Sequence, residues 1–147
     1  MRNTIFYFHF NGTAEAAMKF YKKVLGGEFL IFQQFKDVPG AEKMPVENQE
    51  RFIHISLQVS PSITIMASDT MGSVEDLNIG NNFHICLTTD SENETDKLFE
   101  ELSKNGSVEM PLNKTFWGAY FGMCRDKFGV QWMLSYSPEQ ENKKSKQ

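Results

Sequence analysis

Apolar and polar positions change period several times along this chain, and the changes delimit its elements. Residues 5–10 form a short apolar and aromatic run with the composition of a strand, and Asn11-Gly12-Thr13 breaks it. Then Ala17, Phe20, Tyr21, Val24 and Leu25 fall at helical spacing, which predicts a helix with one buried face. Thr13 is its expected N-cap, ahead of Ala14, Glu15 and Ala16, and Gly26-Gly27 its end. Residues 28–35 predict a second strand. Residues 36–50 carry Pro39, Gly40, Pro45 and many charges, so a long loop able to border a site is expected there. Residues 52–59 and 62–68 predict two strands joined by a turn at Ser60-Pro61.

After a polar connection, the second half repeats this order. Residues 83–88 predict a strand. Asp90 or Ser91 caps a helix running to Lys104, with Leu98, Phe99 and Leu102 on its apolar face and Asn105-Gly106 at its end. Residues 107–112 predict a short strand. An aromatic-rich stretch from Lys114 to Trp132 and on to Tyr136 is interrupted by Arg125-Asp126-Lys127 and Gly129, the pattern of a β-hairpin. Each half therefore reads β-α-β-β-β. A shift of 78 residues lays Phe6 on His84 and Tyr21 on Phe99; a shift of 67 lays Phe52 on Ala119, Met66 on Met133 and Ser68 on Ser135. The expected organisation is a single α+β domain at 1–137 made of two βαβββ modules, about 1–69 and 80–137, with a linker at 70–79. The polar segment 138–147 is expected to be a disordered tail.

Composition narrows the function classes. A chain of 147 residues buries enough surface to fold without staples. Thirteen Phe and eight Met point either to a Phe/Met-rich core or to an aromatic-lined pocket for an organic ligand. Net charge is −4 and the one Lys cluster, Lys143-Lys144 with Lys146, sits in the tail, which argues against nucleic acid as a partner. No apolar run approaches the ~20 residues that span a bilayer, which argues against a membrane partner. The first apolar run, broken by His9 and Asn11, lacks a signal-peptide cleavage pattern. With Cys86 and Cys124 as the two cysteines, a reducing cytoplasmic location is expected, and both thiols are expected to be buried and inert.

Four segments carry a family resemblance: F-N-G-T-A-E-A-A-M-K-F-Y (10–21), H-I-S-L with M-A-S-D (54–57 and 66–69), M-P-L-N-K-T-F-W-G-A-Y-F-G-M (110–123) and D-K-F-G-V-Q-W-M (126–133). Through them the chain resembles the vicinal oxygen chelate superfamily of glyoxalase I, bleomycin-resistance proteins and extradiol dioxygenases. Within it, the chain is similar to the PhnB-like group, often labelled 3-demethylubiquinone-9 3-methyltransferase-like. The resemblance covers roughly residues 1–136. It implies that the two modules form a curved mixed sheet around a cavity, and that the protein is a homodimer.

In metal-dependent members of that superfamily, one side chain from the first and one from the last strand of each module face the cavity. The resemblance puts Phe6, Met66, His84 and Met133 at those places. Only His84 suits a hard or borderline divalent ion, because a thioether is a soft ligand. The neighbours Ile5, Tyr7, Ile65, Ala67, Trp132 and Leu134 do not restore the set. No cofactor and no glyoxalase-type metal site are expected, His84 being the one remaining candidate for a weakly held divalent metal. Nor does any Gly-rich turn between strand and helix offer a methyl-donor site.

Strand parity then places Thr64 and Ser68 with Met66, Cys86 and Thr88 with His84, and Gln131 and Ser135 with Met133. On residues 52–59 the aliphatic set Ile53, Ile55, Leu57 and Val59 should pack on the helix and turn His54 to the cavity. His54 is then either a hydrogen-bond donor or general base to a ligand, or a histidine satisfied by a backbone carbonyl. Trp117 is either a stacking surface at the cavity mouth or an aromatic buried in a dimer interface, while Gly118 allows close backbone approach. Asp126 and Gly129 are turn-formers.

The first expectation is a protein that holds a small organic molecule among Phe6, His54, Met66, His84, Trp117, Phe121, Gln131 and Met133. The alternative is an enzyme of lyase, isomerase or dioxygenase type that uses His54, its catalytic candidate, and His84. A third class, a purely partner-binding dimer, would have no open cavity.

Overall fold

Burial resolves the alternation of the first apolar run. In strand β1 (Phe6–Phe10), Phe8 and Phe10 are buried while Tyr7 and His9 are exposed, so the even-numbered positions face the core. The computed structural model describes residues 2–71 and 77–138, and the chain divides into two units, Met1–Asn78 and Ile79–Gln147. The tail beyond residue 138 and residues 72–76 of the expected linker lie outside the described residues.

In the first unit, β1 leads into helix α1 (Ala14–Leu25), then β2 (Glu28–Gln34), β3 (Phe52–Ser60) and β4 (Ile63–Asp69). The sheet order is β1-β4-β3-β2, with β1 parallel to β4 and the other pairs antiparallel. Ile55 pairs with Ala67 and Leu57 with Ile65, so these four side chains share the face covered by α1, and none is more than 2% exposed. Ala14, Ala17, Met18 and Tyr21 are the helix's fully buried contribution, with the Tyr21 ring 5.9 Å from that of Phe8. Burying each of the larger aliphatic side chains contributes roughly 1.5–3 kcal/mol. The expected packing of Ile55 and Leu57 on the helix therefore holds, and His54 lies on the opposite face.

The start of α1 is capped differently from the sequence expectation. Thr13 makes no side-chain cap. Instead the buried Asp69 carboxylate accepts from the Ala14 amide through Oδ1 (3.0 Å) and from the Phe52 amide through Oδ2 (3.0 Å). One carboxylate at the end of β4 thus satisfies a helix N-terminus, where negative charge is also favoured, and the first amide of β3.

The expected long loop is also more ordered than its composition suggests. It folds into helical turns at Phe35–Asp37 and Ala41–Lys43 and a short helix α2 (Val46–Gln49), with Phe35 and Ala41 buried. Local polar bonds supply the order. The Gln34 amide donates to Asp37 Oδ2 (3.2 Å) and its side chain donates to the Glu50 carbonyl (2.9 Å).

The second unit repeats the plan with β5 (Ile85–Thr88), α3 (Glu92–Ser103), β6 (Ser107–Lys114), β7 (Tyr120–Arg125) and β8 (Gln131–Tyr136), in the order β5-β8-β7-β6. Here the cap is local. Ser91 Oγ accepts from the Glu94 amide (3.1 Å) and the Glu94 carboxylate accepts from the Asp90 amide (2.7 Å). Trp132 and Leu134 are fully buried on the α3 side. Asp126 makes the turn as expected. Its carboxylate accepts from the Phe128 amide (2.8 Å), the Val130 amide (3.1 Å) and Trp132 Nε1 (2.9 Å). Two four-stranded mixed sheets, each with one covering helix, make this an α+β fold, in agreement with the sequence.

The repeat extends to one backbone contact. Gly27, after α1, would place a Cβ 2.2 Å from the Gln58 carbonyl, and Gly106, after α3, would place one 2.1 Å from the Arg125 carbonyl. At both places the chain leaves its helix so close to the neighbouring strand that only glycine fits.

Candidate functional site

In each unit the helix covers one sheet face, and the polar, aromatic and sulfur-bearing side chains named above collect on the other. In the first unit, Tyr7 pairs with Met66, Met66 with Ser56 and Ser56 with Ile31, giving one cross-strand row. Tyr7 Oη is 3.0 Å from His54 Nδ1, and the two rings stack at 5.6 Å between centroids and 23° between planes. His9 joins the group, 5.2 Å from the Tyr7 ring and with Nδ1 3.3 Å from Ser68 Oγ. Packing and hydrogen bonding together orient the His54 imidazole. If the phenol donates to Nδ1, Nε2 carries the proton and offers a donor; the other tautomer offers an acceptor. Sequence reasoning does not find His9 and Tyr7 as members, because nothing in a short aromatic run marks which parity faces the core.

That parity also corrects Phe6. It pairs with Ile65 and shares the α1 face with Phe8 and Phe10, so it and Met66 point to opposite sides of the sheet. Tyr7 is the residue beside Met66, as Cys86 is the residue beside Met133. The shift of 78 residues holds for the helices, where Ala14 matches Glu92. The second unit's strand-to-helix connection is one residue shorter, so the first strands need one residue more. A one-residue slip exchanges the faces of every side chain.

On the open face of the second unit, three cross-strand rows stand side by side. The first is polar. His84 Nε2 is 2.7 Å from Glu109 Oε2, and Arg125 Nε is 3.9 Å from Glu109 Oε1. Arg125 Nη2 donates to Gln131 Oε1 (2.8 Å), and Gln131 Nε2 donates to the Phe83 carbonyl (2.6 Å). Both ends of the Gln131 amide are thus engaged inside the unit. The second row is Cys86, Met133, Met123 and Met110, paired in that order across all four strands. The third is Thr88, Ser135, Phe121 and Asn113. His84, Phe121, Gln131 and Met133 therefore share one face, as parity predicts for His84, Gln131 and Met133. Glu109 is not legible from parity, because β6 has a register shift between Val108 and Met110 that breaks the alternation there.

The two thiols differ, which corrects the expectation that both are buried. Cys124 is fully buried, and burial, followed by the nearby Asp126 and Glu109 charges, pushes its thiol up to about 12. Cys86 is exposed, and partial desolvation raises its thiol above the ordinary value.

Trp117 occupies the tight turn between β6 and β7, closed by bonds from the Thr115 amide to the Ala119 carbonyl (2.8 Å) and from the Gly118 amide to the Thr115 carbonyl (3.1 Å). Gly118 is there for its positive φ of 86°, since a Cβ would meet nothing within 4 Å; close backbone approach is not its role. Trp117 is 60% exposed and its ring lies 6.3 Å from that of Phe121, a ring pair that links the turn to the open face.

The fold family's divalent centre does not fit these residues. The first-and-last-strand pairs are Tyr7 with Met66 and Cys86 with Met133. Phenol, thiol and thioethers do not make the imidazole and carboxylate set that such a metal takes. Among the described residues, no three of His, Cys, Asp or Glu come together as metal ligands. Among them, too, no helix is long and apolar enough to cross a membrane.

Comparison with known proteins agrees with this architecture. Protein YjdN of Escherichia coli K12 is 31% identical over 142 residues, which is 91% of this chain and 95% of that protein. The crystal structure of PA1353 from Pseudomonas aeruginosa is 34% identical and superposes with a TM-score of 0.79, covering 93% of this chain and 98% of that one. A PhnB protein from Bacillus cereus shares the fold at 24% identity and a TM-score of 0.77, covering 92% of this chain and 100% of that one. The sequence pattern of the Glyoxalase/Bleomycin resistance protein/Dioxygenase superfamily matches residues 7–134, and the chain belongs to that superfamily.

Proposed function

We propose that the protein is a PhnB-like member that binds a small, partly aromatic organic ligand among histidine, aromatic and methionine side chains, without a glyoxalase-type divalent centre. The observation that carries this reading is the Tyr7–His54 pair. A stacked, hydrogen-bonded imidazole is held against Tyr7, the cross-strand neighbour of Met66, on a sheet face that the unit's own helix does not cover. His54 supplies one directional polar contact through Nε2, and the rings and thioether supply apolar surface, the mixture that small-molecule sites use.

A second reading rests on His84 and Glu109. A carboxylate 2.7 Å from an imidazole nitrogen orients the ring, an arrangement that general acid–base catalysis uses. In that reading the protein is an enzyme of lyase, isomerase or dioxygenase type.

A thermal-shift screen of small aromatic and amphiphilic compounds, followed by calorimetry on the hits, tests the first reading. A ligand present at 100 times its Kd stabilises by about 2.7 kcal/mol, which raises Tm by several degrees. The expected result is at least one such compound whose affinity falls about tenfold (~1.4 kcal/mol) in His54→Ala. A panel in which nothing raises Tm overturns the proposal. A hit that His54→Ala leaves unchanged moves the site away from Tyr7 and His54.

A further inference from the structure

The sulfur row of the second unit has chemistry that the organic-ligand reading does not use. Cys86 pairs with Met133, Met133 with Met123 and Met123 with Met110, so four sulfur side chains stand on neighbouring strands in one line. All four lie on the face away from α3, because Ile85, Trp132, Leu134 and Cys124 take the buried positions between them. Cys86 is exposed and Met123 and Met133 are half-buried. These methionines are therefore not fillers of the unit's core, which is the usual role of the residue.

We propose that Cys86, Met133 and Met123 form a binding site for one soft monovalent ion, Cu(I) or its analogue Ag(I). Adjacent strands lie about 4.8 Å apart, so the three Cα atoms span roughly 10 Å. Flexible thioether stems on the second and third strands can bring their sulfurs in to meet the thiol of the first. The ligand chemistry selects the ion. Thiolate and thioether are the soft donors that favour Cu(I), and they serve Mg, Mn or Ca poorly. Cys86 and Met133, two of the residues that do not suit a hard divalent ion, are thus donors that a soft ion needs.

Charge balance points the same way. A thiolate and two neutral thioethers around a monovalent ion give a complex with no net charge. A half-buried site tolerates such a complex far better than an uncompensated divalent ion. The neighbouring row adds no unbalanced charge, since its carboxylate, Glu109, faces both His84 and Arg125. On binding, the Sγ–H bond of Cys86 breaks, the proton leaves to solvent and a sulfur–metal bond forms. Neither metal nor sulfur changes oxidation state.

The test is competition under anaerobic conditions between the reduced full-length protein and a coloured Cu(I) chelator. The expected result is that the protein withdraws one Cu(I) per chain. Met123→Leu with Met133→Leu, a nearly volume-conserving pair of swaps, weakens binding about tenfold or more while leaving the thermal melt close to that of the parent. Cys86→Ser abolishes withdrawal. Failure of the parent to compete overturns the inference. So does a double methionine variant that binds as tightly as the parent, since an isolated thiol then suffices, and so does a Cys86→Ser variant that still binds. The probe is the metal alone, so the outcome is independent of whether any organic ligand is found.

Discussion

His84 Nε2 and Glu109 Oε2 are 2.7 Å apart although His84 immediately precedes β5 and Glu109 lies on β6, the two edge strands of a four-stranded sheet. Two long side chains meet over β8 and β7, and Arg125 and Gln131 on those strands complete a chain of contacts back to the Phe83 carbonyl. The pair links two sheet edges that the backbone does not join, and it sets the polar end of the open face.

The side chains of His84 and Glu109 are 15% and 27% exposed, so water screens their attraction only in part. A double-mutant cycle with His84→Ala and Glu109→Ala is expected to give a coupling of about 0.5–1 kcal/mol in urea unfolding, near the upper end for partly solvated pairs. A coupling indistinguishable from zero would mean that the contact does not hold the sheet edges together.

Asp69 serves two amides that are far apart in sequence, and it is buried. Removing it leaves both donors without their partner. Asp69→Ala is therefore expected to cost about 2–4 kcal/mol, from the desolvation penalty of each unsatisfied group. Thr13→Ala should cost under about 0.5 kcal/mol, because Thr13 makes no side-chain cap. Chemical denaturation of the two variants side by side checks the contrast.

Thiol labelling should separate the two cysteines. An aromatic disulfide reagent is expected to modify Cys86 in the native protein and Cys124 only after unfolding, since Cys124 is fully buried and its thiol is held up to about 12. The Cys86 rate should keep rising with pH above its ordinary titration range, because its thiol is also raised. Equal labelling of both sites in native buffer would contradict the buried position of Cys124.

Gly27→Ala and Gly106→Ala should each destabilise strongly, by about 3 kcal/mol or more. The new Cβ would sit 2.2 Å or 2.1 Å from a backbone carbonyl that cannot rotate away. Gly118→Ala, at a turn with open space around it, should cost only the strain of a positive φ, about 1 kcal/mol. The expected order in thermal melts is Gly118→Ala well above the other two.

Some of the candidate site is legible in the amino-acid pattern alone. The Ile55 and Leu57 alternation on β3 places His54 on the far side of the sheet, and the alternation around Met133 correctly puts Gln131 on the same face. Other parts are not legible. Phe6 lies on the opposite face from its expected one, because the match between halves holds for the helices but not for strands joined by a connection of different length. Glu109 is hidden, because a register shift in β6 resets the alternation that parity relies on.

By itself the sequence determined what depends on neighbours along the chain. That covers the periods of the two helices, the alternation of the strands, the turn at Asp126 and the repeated order of elements, all expressed within a few residues. Only the tertiary structure decided what depends on partners far away in the chain. Asp69 caps a helix 55 residues earlier, Tyr7 rather than Phe6 meets Met66, and three strands set Cys86, Met133 and Met123 in a row. Phase and register come from hydrogen bonds between strands, and no local pattern specifies them to within one residue.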